Sequence, residues 1–186
     1  MKRTFDLIIV SLLMIFFSVA ILFISILIKV TSYGPVLYWS SRVGKNNLIF
    51  KMPKFRTMKM NTPVVATHLL DDPCKYCTPI GSFLRKSSFD ELPQLYSVLK
   101  GDMSLSGPRP ALFNQHDLIT LRTKKGVHAL VPGITGWAQI NGRDELPIPE
   151  KVDLDEYYLN HQSFLFDMNI FFRTVKNVII RRGVSH

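Results

Sequence analysis

The sequence is poor in acidic residues and in cysteine. Its 186 residues include 14 aspartates and glutamates against 23 lysines and arginines, for a formal net charge of +9, and they include two cysteines. Such a basic excess fits a protein that lies on an anionic membrane surface or binds polyanionic ligands. The sequence has no helix-turn-helix, zinc-finger or RNA-binding signature, so we predict no nucleic acid partner.

Both cysteines lie in one C-x-x-C segment, DPCKYCTP, as Cys74 and Cys77. A structural zinc site normally needs four ligands, and the sequence has no second cysteine pair. No evident helix in a thioredoxin-like setting follows the pair, which disfavours a redox function. The sequence therefore favours two reduced cysteines in a loop.

The segment Leu7–Ile28 has no charged residue, no proline and no glycine. As a helix rising about 1.5 Å per residue it reaches roughly 33 Å, enough to cross the hydrocarbon core of a bilayer. No small-x-small cleavage site follows the apolar run, which argues against a signal peptide. We therefore predict a membrane helix that is retained in the protein.

Basic residues flank this helix on both sides, and positive charge near a membrane segment favours the cytoplasmic side. The two basic flanks thus indicate that both helix ends lie there. The apolar run nevertheless lacks the proline or glycine that usually causes a kink, so the residues alone favour a straight span over a re-entrant hairpin. The flanking cations are Lys2, Arg3, Lys29, Arg42 and Lys45.

Beyond this helix the sequence predicts a helix-rich α+β protein, with a membrane-inserted helix over residues 1–30 and one further domain over residues 31–186. A strand pair is expected at 36–39 and 48–52. Helices are expected at 80–86, 93–100 and 111–124, and the Gly- and Pro-rich stretch 131–150 is expected to be a loop.

The closing segment FLFDMNIFFRTVKNVIIRRG predicts an amphipathic helix with an apolar stripe and several basic residues. An interfacial helix on a membrane surface has this pattern. A core helix with a solvated basic face has it as well, and the sequence does not separate the two.

The tetrapeptide DELP occurs twice and supplies two adjacent carboxylate pairs. In the first copy, Ser88 and Glu91 have the spacing of a helix capping box, so Asp90 and Glu91 could simply begin a helix. That position, near the positive end of a helix dipole, would lower the pKa of both carboxyl groups. Ionised carboxylates are also the form that binds a divalent cation or attacks phosphorus.

The residues around the first DELP favour chemistry over capping. Arg85 and Lys86 lie just upstream, and Arg109 lies between two prolines, on a backbone with little freedom. A guanidinium on a stiff loop can bind phosphate bidentately at little entropic cost. The second DELP, with Asp144 and Glu145, lies in a Pro-rich loop, where we expect it to shape a turn.

With these motifs in order, the chain resembles the bacterial sugar transferase family, the monotopic phosphoglycosyl transferases, and in particular its small members. The resemblance covers nearly the whole chain, and several long motifs in the right order are highly specific. It rests on KRTFDLII, TSYGPVLYWSSRVGKNNLIFKMPKFRTM, LRKSSFDELPQLYSVLKGDMSLSGPRP, PGITGWAQINGR and LDEYYLNHQSFLFDMNIFFRTV.

The resemblance implies an enzyme that moves a sugar 1-phosphate from a UDP-sugar to undecaprenyl phosphate and releases UMP. It implies Mg²⁺ as cofactor and a catalytic domain on the cytoplasmic face of the bacterial inner membrane. The reaction would be the first membrane step of glycoconjugate assembly (capsule, O-antigen or glycoprotein), with downstream glycosyltransferases as further partners. Family habits suggest an N-acetylated or deoxy-amino hexose as the sugar.

By resemblance, Asp90 is the nucleophile that forms a phosphosugar-aspartyl intermediate, and Glu91 together with Asp90 holds Mg²⁺. Arg109 matches the arginine of the family's Pro-Arg-Pro motif and would bind phosphate. Further substrate-side residues implied by the motifs are Arg85, Lys54, Arg56, Arg143 and Asp155. The alternative from another class is a membrane-anchored basic module that binds anionic lipid or nucleic acid without catalysis.

One position departs from the family pattern. The family typically has Ser-Pro midway through its membrane helix, where the proline breaks the helix into a re-entrant hairpin, whereas this chain has Ser18-Val19. The retained N–H of Val19 removes the main cause of a kink, although Ser18 can still bond a carbonyl one turn back and bend the helix slightly. Because both flanks are basic, we expect the re-entrant topology here.

Overall fold

A single long helix, α1 (Lys2–Thr31), begins the fold and contributes to two of its apolar clusters. The computed structural model describes residues 1–63, 73–142 and 146–180. Six more helices are α2 (Gly81–Lys86), α3 (Leu95–Lys100), α4 (His116–Lys124), α5 (Trp137–Asn141), α6 (Ile148–His161) and α7 (Phe164–Ile180). The strands are β1 (Leu37–Val43), β2 (Ile49–Phe55), β3 (Ser104–Ser106) and β4 (Gly133–Thr135). The predicted helix-rich α+β class is confirmed.

The predicted strand pair is confirmed as an antiparallel hairpin of β1 and β2, longer than expected. Its turn contains Asn46 and Asn47, both with the positive φ that asparagine tolerates. The hairpin contributes to two apolar clusters, because Met52 packs with Val10 and Val98 in one and Phe55 lies in the other. This hairpin therefore joins the start and the end of α1 to the same domain.

The helices expected near the first DELP and Pro-Arg-Pro motifs are confirmed with shifted bounds. The helix expected over 93–100 is α3, preceded by a short 3₁₀ helix (Phe89–Gln94) and followed by Gly101 in the left-handed region. The helix expected over 111–124 begins later, at His116. Ala111 and Leu112 stay extended because the first accepts a hydrogen bond from Val43 N–H and the second bridges to Arg42.

The prediction of a loop over residues 131–150 is wrong. This stretch contains β4, α5 and the first turn of α6. β4 forms a parallel pair with β3, a long-range partner that no local pattern announces. Pro147 precedes α6 and Pro149 lies in its first turn, where a missing N–H costs no helical hydrogen bond.

Two glycines allow β3 and β4 to approach closely. A Cβ atom on Gly133 would lie 2.2 Å from Gly107 N and 2.4 Å from Thr135 O. Both contacts are with backbone atoms, which cannot rotate away. The segment that ends in Arg109 is therefore held against β4 without room for a side chain.

Replacing Gly133 with alanine should lower the free energy of unfolding by about 2–3 kcal/mol, since the methyl group overpacks backbone against backbone. Thermal unfolding of the purified protein in detergent measures the loss. Gly44→Ala is the control, because its Cβ would lie no closer than 3.1 Å to the ring of Phe50 and 3.2 Å to Leu48 O. Equal stability of the two variants would contradict this account.

The two ends of α1 are bonded to the same domain. At the start, Lys2 Nζ lies 2.9 Å from Asp167 Oδ2 and 2.7 Å from the Tyr158 hydroxyl. At the end, Arg56 donates to the carbonyl oxygens of Ser32 and Tyr33 just beyond the last turn. A cation there offsets the negative end of the helix dipole.

The middle of α1 is apolar and faces away from the domain. Ile15, Phe16 and Val19 are 73%, 77% and 77% exposed. Ser18 Oγ donates to Ile15 O at 2.8 Å, which confirms the predicted bond to a carbonyl about one turn back. By length and composition α1 is the one helix among the described residues that could cross a membrane.

The amphipathic helix predicted at the C-terminal end is confirmed as α7. Asp167 and Ile170 are its buried residues in the described part of the helix. Several large apolar side chains are instead exposed, which a core helix with a solvated basic face does not explain. These are Phe164, Leu165, Phe172, Val175 and Val178.

Candidate functional site

The first DELP lies on the 3₁₀ helix before α3, beside β2. The predicted capping box is not formed: Ser88 has a φ of 58° and makes no side-chain cap, and Glu91 is bonded to it through Glu91 N–H to Ser88 O. The Glu91 carboxylate turns away from the helix end. The capping box is therefore wrong, although both carboxylates do lie in the first turn of the 3₁₀ helix.

Two cations enclose the Glu91 carboxylate. Lys54 Nζ on β2 lies 2.8 Å from Oε1, and Arg109 Nη2 lies 2.6 Å from the same oxygen. Burial opposes ionisation of this carboxyl group, but Arg109 and Lys54 outweigh it and hold the pKa of Glu91 well below its usual value. The lowered pKa predicted from the sequence is therefore correct for Glu91, although two ion pairs cause it.

The pKa of Asp90 shifts in the opposite direction. It is 8% exposed, and burial raises its pKa to about 6, with Glu91 adding to the rise and Lys54, Arg85 and Arg109 lowering it in part. The lowered pKa expected from the helix dipole is wrong here, because desolvation of a buried carboxylate exceeds a terminal dipole effect. Near neutral pH Asp90 is ionised yet more basic than an ordinary aspartate, a property that suits a nucleophile.

Arg109 is presented to this pair by a buried backbone. From Met103 to Leu112, Arg109 is the sole residue that is not buried, and its side chain is 31% exposed. The flanking Pro108 and Pro110 fix φ on either side. The loop is thus buried and exposes one guanidinium, on the stiff backbone that the sequence predicted.

The structure brings together five of the predicted site residues and separates two others. Asp90, Glu91, Lys54 and Arg109 are in contact or nearly so, and Arg85 on α2 acts on Asp90 through its charge. Arg56 is 4% exposed and caps the end of α1, so the geometry does not support its predicted substrate-side role.

Asp155 also has a structural partner in place of a substrate-side position. It is 1% exposed, and its Oδ2 accepts from Nη2 and Nε of Arg122 at 2.6 and 2.9 Å. Its predicted substrate-side role is therefore not supported by the geometry. Arg143, Asp144, Glu145 and the Cys74 side chain lie outside the described residues.

Two arginines that the sequence did not single out as site residues contact the loop of Arg109. Arg122 Nη1 donates to Arg109 O at 2.8 Å, and Arg42 Nη1 donates to Pro110 O at 3.1 Å. The sequence indicates Arg42 only as a positive flank of α1. No local signal could identify them, because the partners are 13 and 68 positions apart along the chain.

Comparison with known proteins gives a family match over nearly the whole chain. The sequence model of the family described as bacterial sugar transferase matches residues 1–181. The chain is 41% identical over 187 residues to an uncharacterized sugar transferase, EpsL, of Bacillus subtilis, a match that covers 100% of this chain and 90% of that protein.

Two further relatives have names that state an activity. An undecaprenyl-phosphate galactose phosphotransferase of Salmonella typhimurium is 38% identical over 199 residues, covering 98% of this chain and 41% of that protein. A UDP-glucose:undecaprenyl-phosphate glucose-1-phosphate transferase of Escherichia coli is 39% identical over 184 residues, covering 94% of this chain and 39% of that protein. The chain thus spans about two fifths of these two relatives.

Proposed function

The chain belongs to the bacterial sugar transferase family, and we propose that this enzyme moves a sugar 1-phosphate from a UDP-sugar to undecaprenyl phosphate, with release of UMP. The names of the Salmonella and Escherichia relatives support both the sugar-phosphate transfer and the polyprenol acceptor. The observation that carries the proposal is the enclosure of the Glu91 carboxylate, next to Asp90, by Lys54 and Arg109.

The proposed reaction has two displacements. A carboxylate oxygen of Asp90 forms a bond to the sugar-bearing phosphorus, while the bond from that phosphorus to the oxygen of UMP breaks. A phosphate oxygen of undecaprenyl phosphate then attacks the same phosphorus and releases Asp90 as a carboxylate. The covalent intermediate divides one difficult transfer into two easier ones, and its ionised nucleophile is consistent with a pKa of about 6.

Lys54 and Arg109 would bind the diphosphate of the donor. In this structure both cations point at Glu91 Oε1, so an incoming phosphate meets donors that are already oriented. A forked guanidinium and an ammonium group stabilise charge that develops on the leaving phosphate.

Asp90 and Glu91 also fit a Mg²⁺ ion, which typically takes one or two protein carboxylates and completes its shell with substrate phosphates and water. Glu91 retains 23% side-chain exposure and a low pKa, so it can meet a cation that arrives with the donor. The described residues contain no cluster of three His, Cys, Asp or Glu side chains, so the substrate would supply ligands. When bound, the ion would neutralise the diphosphate.

We further propose that α1 enters the membrane and returns to the same side. A straight span would place its two ends on opposite sides of a core about 30 Å thick. Lys2 and Ser32 instead contact one domain, while the exposed apolar surface from Ile15 to Val19 projects from its middle. The domain would then lie at the cytoplasmic face of the inner membrane, where nucleotide sugars are made.

The same surface argument applies to α7. It exposes Leu165 and Phe172, and its Phe166 ring lies 4.9 Å from Trp137, which stacks on Tyr157 with ring centroids 5.8 Å apart. Tryptophan and tyrosine favour the boundary between lipid and water. We propose that α7 lies in this boundary, which would hold the site next to a membrane-bound acceptor.

Cysteine labelling in whole cells tests the topology. In a background with Cys74→Ser and Cys77→Ser, one cysteine is placed in a short N-terminal extension and, separately, another at the exposed Lys45 position. A membrane-impermeant reagent should label neither from outside, and both after lysis. Labelling of the N-terminal cysteine alone in intact cells would establish a span instead.

Release of UMP from a panel of UDP-sugars with undecaprenyl phosphate tests the proposed reaction. The relatives differ in sugar, since one is named for galactose and another for glucose. An N-acetylated or deoxy-amino hexose is therefore one arm of the panel, beside these two hexoses. The failure of every donor in the presence of Mg²⁺ and acceptor would contradict the proposed function.

A further inference from the structure

The backbone that carries Arg109 is held at four consecutive carbonyl groups by donors from three elements of the fold, β1, α4 and β4. These elements approach the turn from different parts of the chain, so it is braced from several directions. The bonds are Gly133 N–H to Pro108 O at 2.9 Å, Arg122 Nη1 to Arg109 O at 2.8 Å, Arg42 Nη1 to Pro110 O at 3.1 Å, and Val43 N–H to Ala111 O at 2.9 Å.

The two arginine donors are themselves anchored from behind. Arg122 is 8% exposed, and its Nε and Nη2 both donate to Oδ2 of Asp155, which is 1% exposed. Arg42 donates through Nε to Ser40 Oγ at 3.0 Å, and Ser40 is 2% exposed. A planar guanidinium that uses one edge on an anchor leaves the remaining Nη1 in a fixed direction.

Arg42 also connects the two cations that enclose Glu91. It lies on β1, which pairs along its whole length with β2, and β2 carries Lys54. The bond from Arg42 to Pro110 O therefore ties the strand pair of Lys54 to the loop of Arg109. Together with the bond from Val43 N–H to Ala111 O on the same strand, this bridge holds the elements of Lys54 and Arg109 side by side.

We propose that Arg42 and the Arg122–Asp155 pair are positioning residues for the transfer reaction. They hold the Pro-Arg-Pro backbone so that the Arg109 guanidinium meets the donor phosphate together with Lys54, without touching substrate themselves. This inference rests on the proposed function. Its physical basis is that a misplacement of about 1 Å in a charged group can cost up to roughly 10²-fold in rate.

A double-mutant cycle tests the inference. Arg42→Lys and Arg122→Lys each keep the charge but lose the fork that holds an anchor and a carbonyl at once. Each should lower kcat/KM for the UDP-sugar about tenfold and leave the KM for undecaprenyl phosphate unchanged. The same two changes are then made in an Arg109→Ala background, where the rate of covalent loading with labelled donor alone is measured. There each change should lower the loading rate by less than about twofold.

Lys125→Met is the matched control, because Lys125, the residue just after α4, pairs with Asp153 and Glu156 of α6 at the surface. It should leave kcat/KM unchanged. Ser40→Ala, which removes only the anchor of Arg42, gives a milder variant if Arg42→Lys fails to fold, and it should reduce kcat/KM in the same direction.

The positioning role would be overturned if Arg42→Lys or Arg122→Lys lowered the rate in the Arg109→Ala background as much as in the wild type. Such independent losses that multiply would indicate a general weakening of the fold. So would a Lys125→Met variant as impaired as Arg122→Lys. UMP release by the wild-type enzyme separates this inference from the proposed function. If no UDP-sugar of the panel gives UMP, the proposed function fails; if one does while the arginine losses multiply, the positioning inference alone fails.

Discussion

Asp90→Asn should abolish both UMP release and covalent capture of the sugar phosphate, with turnover falling by at least about 10⁴-fold. An amide oxygen is a poor nucleophile, and the nearly isosteric side chain leaves the packing around this 8% exposed position in place. Two assays measure the effect: UMP release with donor and acceptor, and retention of labelled sugar phosphate on the protein with donor alone. A folded but inactive variant is the expected result.

The second DELP supplies the matched control for this substitution. Asp144→Asn changes the same residue type in the same tetrapeptide and should cost much less activity than Asp90→Asn. Full turnover of Asp90→Asn would show that another group attacks phosphorus. Loss of the trapped label with turnover retained would point to direct transfer between donor and acceptor.

Glu91→Gln should lower kcat/KM for the donor by about 10²–10³-fold and flatten the response to Mg²⁺. Glutamine can still accept hydrogen bonds from Lys54 and Arg109, which lie 2.8 and 2.6 Å from Glu91 Oε1, so the local fold should survive. The variant loses the negative charge of Glu91 and therefore one carboxylate ligand for Mg²⁺. Initial rates across a Mg²⁺ titration measure both effects.

Glu145→Gln, in the second DELP, is the corresponding control and should keep the wild-type Mg²⁺ response. A Glu91→Gln enzyme with an unchanged Mg²⁺ midpoint would contradict a metal-binding role for Glu91. In that case the enclosure by Lys54 and Arg109 would serve only to orient the two cations for phosphate.

Local patterns determined much of the fold and the chemical identity of the site. The uncharged run Leu7–Ile28, the hairpin turns and the amphipathic segment of α7 each produce their element through neighbours close in sequence. The first DELP and the Pro-Arg-Pro motif predicted the carboxylates and the guanidinium that lie together in the structure. Such features are readable because periodicity and turn chemistry act over a few residues.

Tertiary contacts decided the rest, since they join residues that no local pattern relates. β4 pairs with β3 across about thirty positions, and Lys2 binds Asp167 across the length of the chain. Arg56 and Asp155 have charges that the motifs associate with substrate, yet each is bonded to a structural partner. The pKa of Asp90 rises because the folded protein buries its carboxyl group. Burial depends on residues from many parts of the chain, whereas the sequence alone indicated only a helix dipole.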